Sequence, residues 1–167
     1  MRKSIFLLAF ASLALTAAGQ TDSRQTLIKE CQRLHSDGKY ATALTLLNEV
    51  KTDGLDATTL QELELLKAVA TFEENHLEGR ALILQYLDDY PESSKRELLG
   101  CYIAESYYFS HDYKLACEWF EKSNSRRLER EQQERASLYY ALTLQELGKE
   151  DNAVSMLRNL VKKKKKY

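Results

Sequence analysis

The chain has 167 residues, 44% hydrophobic and 29% charged, which excludes a disordered segment and leaves room for one domain of ordinary size. Its formal net charge is −1, but the charge is uneven: without residues 1–19 and the run Lys162 to Lys166, the body holds 17 basic against 25 acidic residues, or −8. Such acidity disfavours nucleic acid as the main partner, because phosphate contacts need a basic surface.

The first predicted element is an address. Arg2 and Lys3 precede an apolar run, Ile5 to Ala18, broken only by Ser12 and Thr16, and Ala17-Ala18-Gly19 supplies small residues after it. This three-part pattern predicts a secretory signal peptide over residues 1–19, cut between Gly19 and Gln20, and hence a periplasmic or secreted protein. A membrane anchor needs about 20 apolar residues, more than the run offers. No cysteine follows the small residues, so a lipidated N-terminus is not expected.

With one proline, six glycines and no alternating apolar and polar runs, the rest reads as helices joined by short turns. Leu27, Cys31 and Leu34 mark one helical face, Asp37-Gly38 breaks it, and Tyr40, Ala43, Leu44, Leu47 and Val50 mark a second helix. Leu63, Leu66 and Ala70 begin the next pair, which continues through Gly79, Ile83 and Tyr86 and stops at Tyr90-Pro91. A third pair carries Ile103, Ala104 and Tyr107, then Tyr113, Ala116 and Phe120. The fourth carries Tyr140, Ala141 and Leu144, then Gly148, Ala153, Leu157 and Leu160.

A small residue, Ala43, Gly79, Ala116 or Ala153, recurs at intervals of 36, 37 and 37. A repeat of that length predicts one helical hairpin stacked four times, the small residue sitting where two helices cross. The units run about 24–57, 60–93, 97–130 and 134–167, within a solenoid over 20–161 and a basic tail over 162–167. Cys31, Cys101 and Cys117 have no CxxC or ligand-like spacing and are expected as buried packing thiols.

The pattern resembles the tetratricopeptide repeat (TPR) family. Where that family places a small residue in the first helix stand Cys31, Lys67, Ala104 and Ala141, and where it places glycine at the turn stand Gly38, Glu74, His111 and Gly148. Its aromatic position holds Tyr40, His76, Tyr113 and Glu150; its bulky apolar position holds Leu47, Ile83, Phe120 and Leu157. Lys67 and Glu74 make the second unit the least regular. The resemblance implies an all-α fold, a right-handed α-solenoid of about four TPR-like helical hairpins, of the kind found in exported TPR proteins.

It also implies a concave wall lined by the first helix of each pair. On this sequence the richest part of that wall is Leu98, Tyr102, Glu105, Tyr108, Arg135, Tyr139 and Leu142, the expected partner-binding residues. Tyrosines among leucines suit an extended or helical peptide, each ring burying area while its hydroxyl stays wet. Family members that clamp a C-terminal carboxylate use a cationic fork; here its places hold Ile28 and Gln32, Glu64 and Ala68, Cys101 and Glu105, and Leu138 and Leu142, so that mode is not expected.

No catalytic motif, phosphate loop or metal-ligand spacing occurs. His35, His76 and His111 fall near hairpin turns and read as solvated turn residues, and adjacent carboxylates such as Glu73-Glu74 do not predict convergence on one cleft. The expectation is a non-enzymatic, cofactor-free and metal-free adaptor with a protein or peptide partner, without nucleic acid and with at most weak membrane association through its lysines. The alternative is a structural module, or a segment of a longer array, that self-associates through an uncapped C-terminal hairpin carrying Val154, Met156, Leu157 and Leu160.

Overall fold

The computed structural model describes residues 23–164. The expected signal peptide lies outside the described residues, as does the end of the lysine run. Among the described residues helices follow one another without a strand: α1 (23–36), α2 (Tyr40–Glu49), α3 (Ala57–Glu74), α4 (His76–Asp89), α5 (Arg96–Phe109), α6 (Tyr113–Lys122), a single 3₁₀ turn at Ser125–Arg127, α7 (Arg130–Glu146) and α8 (Glu150–Lys164).

Local chemistry sets the helix ends. Asp56 accepts from the Thr59 backbone N–H at 2.9 Å and opens α3. Asn75 accepts from the amides of Leu77 and Glu78 and opens α4, and Asp112 accepts from Leu115 and opens α6. At three of the four places where the repeat expects a turn glycine the backbone is left-handed: Gly38 (φ 71°), His111 (φ 60°) and Gly148 (φ 71°). Histidine bears that conformation less easily than glycine, and its Nδ1 lies 2.8 Å from the Tyr113 hydroxyl. Glu74 has no such φ; α3 runs through it, and Asn75 alone, extended at φ −149°, turns the chain into α4.

The contacts divide the chain into two compact parts, one ending at Ala70 and the other starting at Thr71. In the first, Ile28 and Cys31 of α1, Leu47 of α2, Val50 at its end, and Leu63 of α3 form one buried cluster. In the second, α4 packs on α5, α5 on α6, α6 on α7 and α7 on α8, in chain order, while α5 also touches α7. Cys101, Ala104, Phe120 and Ala136 form one cluster there, and Cys117, Leu144 and Ala153 another. Each large side chain buried in this way contributes about 1.5–3 kcal/mol. All three cysteines are buried and free, and burial pushes the Cys101 thiol up to about 12, so it packs as a neutral group.

The small residues do the work expected of them. Ala43, Ala116 and Ala153 are buried. At Gly79 the fit is closer still, because a Cβ would collide with the backbone Cα and N of Phe72 at the end of α3. Backbone cannot swing aside as a side chain can. Gly79→Ala should therefore destabilise the protein by about 3 kcal/mol or more, read as a lowered urea midpoint; Ala116→Gly, which adds no volume, should cost only about 1 kcal/mol.

Candidate functional site

The second part of the chain gathers charges and rings from the end of α3, the start of α4, and α5 and α7. Arg135 on α7 is the centre. Its Nη1 and Nη2 donate to Glu73 Oε1 and Oε2 at 2.6 and 3.1 Å, while its Nε and Nη2 donate to Glu105 Oε2 and Oε1 at 2.9 and 2.7 Å. Two bidentate pairs thus share one guanidinium, the planar fork that lysine lacks.

Glu105 is only 2% exposed. Burial raises its pKa and the bonds to Arg135 oppose that rise. Burial would lower the Arg135 pKa, but the two carboxylates together hold it above its usual value. The arginine is permanently charged, so the three side chains carry one net negative charge once both carboxylates ionise. His76 Nε2 stands 4.0 Å from Glu105 Oε1. Desolvation lowers the His76 pKa; Glu73 opposes that shift and Arg135 adds to it.

Rings surround the charges. Phe72 stacks on Tyr102 with centroids 4.7 Å apart and 18° between planes. The Arg135 Cζ lies 5.2 Å from the Tyr102 ring centre, within cation–π range. His76 meets Phe72 edge-on and Phe109 at 4.1 Å. Tyr139 touches both Tyr108, at 5.6 Å, and Phe109, at 5.4 Å. Phe109 is 42% exposed, and Tyr102, Tyr108 and Tyr139 are half-buried. A strip of rings therefore runs from α4 across α5 to α7 with one side toward solvent.

The seven expected binding residues fare unequally. Tyr102, Tyr108, Arg135 and Tyr139 meet in this cluster, while Leu98 and Leu142 are half-buried on α5 and α7. Glu105 requires a correction. It was expected on an open wall, but it lies inside and its carboxylate is committed to Arg135, because a buried charge must be paired. Two further expectations change. His76 is not a solvated turn residue but a ring packed between Phe72 and Phe109. Carboxylates do converge, though on an arginine: Glu73 and Glu105 come from different helices.

Sequence reasoning missed Phe72, Glu73, His76 and Phe109. The repeat register marked only His76, at the aromatic position; Glu73, Glu105 and Arg135 do not occupy equivalent places in their units, so no spacing announced their meeting. Among the described residues no group of histidine, cysteine, aspartate and glutamate forms a metal site, and no helix is long and apolar enough to cross a membrane.

No protein-family model matches the sequence, and no curated protein matches it. Among solved structures the chain is similar to MamA of AMB-1 in its P212121 crystals, with TM-score 0.60 and 18% identity over 84% of this chain and 73% of that one. It is equally similar to MamA of MSR-1 in its C2 crystals, with TM-score 0.60 and 17% identity over 83% of this chain and 75% of that one. The likeness is one of fold: an α-solenoid of TPR-like helical hairpins.

Two measurements test the cluster. Arg135→Met leaves Glu105 buried without its partner and should cost about 3–5 kcal/mol in urea unfolding, part of which Arg135→Met/Glu105→Gln recovers. The lowered His76 pKa means that the unfolded chain binds its proton first as pH falls below about 6.5. Stability from this group is present above that pH and is lost on acidification through the folded value. His76→Phe should show a smaller fall in urea midpoint than the wild type between about pH 6.5 and pH 5.

Proposed function

We propose that this chain is an exported, non-catalytic adaptor that captures a polypeptide on the ring strip of α5 and α7. The observation that carries the reading is Phe109, a large apolar ring left 42% exposed yet held by Tyr108, Tyr139 and His76. Pre-positioned rings lose little entropy on binding and bury much area, and the tyrosine hydroxyls add directional bonds to a peptide backbone. The guanidinium beside them is saturated by two carboxylates, so apolar and aromatic partner side chains fit the strip better than a free carboxylate does. Support for export is the basic start, the apolar run Ile5 to Ala18 and the small residues through Gly19.

Two experiments test this reading. With Phe109 replaced by p-benzoylphenylalanine, illumination in cells should attach a defined protein. The same photoreactive group at Leu84, 38% exposed on α4, should not. Tyr108→Ala/Tyr139→Ala should weaken capture of that protein by about 10-fold or more while the helical circular dichroism is kept; equal capture by the variant would overturn the groove. Mass spectrometry of the exported chain should give Gln20 as its first residue, and a full-length chain retained in the cytoplasm would overturn the export reading.

A further inference from the structure

The last hairpin repeats a groove that the preceding hairpin already uses. On α5 and α6, Cys101 and Phe120 are 5% and 6% exposed because α7 lies over them, with Ala136, Tyr139 and Tyr140 completing the cluster. Leu138 and Leu157 stand 37 residues later, at the same places on α7 and α8. Leu138 is 42% exposed. With Glu131, Glu134, Arg135, Leu157, Leu160 and Val161 it lines a groove of about 640 Å³. Its shape is that of a site for one more helix.

The outer side of α8 has the features of such a helix. Val154, Leu157 and Val161 recur at steps of three and four, the spacing of a coiled-coil seam. Val154 and Val161 are 43% and 55% exposed. Charge is divided along it, with Glu150 and Asp151 in the first turn and Arg158 and Lys162 beyond the middle. Packed side by side in parallel, two copies of α8 would set like charges together. Packed antiparallel about a two-fold axis between Val154 and Leu157, they set Glu150 and Asp151 of each beside Arg158 and Lys162 of the other.

We infer that a second copy of this chain seats its α8 antiparallel in the α7–α8 groove, and receives the first copy's α8 in return. The interface is isologous, each copy covering the other's last hairpin. The groove borders the charged cluster at Arg135 but includes none of Tyr108, Phe109 and Tyr139, so failure of peptide capture and failure of this pairing are separately visible.

Sedimentation of the full chain, as cells produce it, should give a dimer at about 100 µM. Val154→Glu/Val161→Glu should weaken the dimer by about 10-fold or more. Glu150→Lys/Asp151→Lys should do the same, as should Arg158→Glu/Lys162→Glu, each retaining helical circular dichroism. Mixed together, those two charge variants should form a heterodimer, since every reversed end then meets its opposite. A wild-type chain that sediments as a monomer overturns the inference. So does a dimer indifferent to these substitutions, or a mixture of the two charge variants that stays monomeric.

Discussion

Each hairpin closes only where one helix can bring its backbone against the other, and one small residue per unit permits that approach. Gly79 is the limiting case, with the Phe72 backbone where a side chain would stand. Ala43, Ala116 and Ala153 hold the corresponding buried places. Because side chains at a crossing set the distance between helices, the recurrence of that residue fixes where every pair meets. It thereby decides which faces remain for the next pair.

The charged cluster follows from this packing. The end of α3, α5 and α7 lie near enough for one arginine to touch carboxylates on two of them. Burying Glu105 is costly, and Arg135 offsets that cost with a bidentate pair. The same guanidinium then anchors Glu73, and its flat face lies near Tyr102. The rings beyond it gain fixed positions from neighbours on three helices. Phe109 and Tyr139 are exposed in part while each packs against neighbouring rings.

The ring strip and the groove on the last hairpin have different origins. The ring strip is built by contacts between helices of successive pairs, so it exists only in the folded stack. The groove on the last hairpin is a repetition: α7 and α8 present to solvent what α5 and α6 present to α7. Stacked repeats offer such a face to one more helix, and the charges along α8 select how another helix can fill it.

Helix positions, turns and the small-residue crossings were legible in the residues themselves, because each is a local property. Periodicity marks a helical face, glycine at 38 and 148 marks a left-handed turn, and the spacing of Ala43, Gly79, Ala116 and Ala153 marks the repeat. The half-buried tyrosines on α5 and α7 were also within reach, since they sit at regular places in that repeat. Tertiary structure alone decided that Glu105 is internal, that His76 packs between two phenylalanines, and that Glu73 reaches Arg135 across 62 residues. Glu73, Glu105 and Arg135 stand at unlike positions in three different units, and long-range electrostatics and burial depend on which side chains meet, which no local pattern encodes.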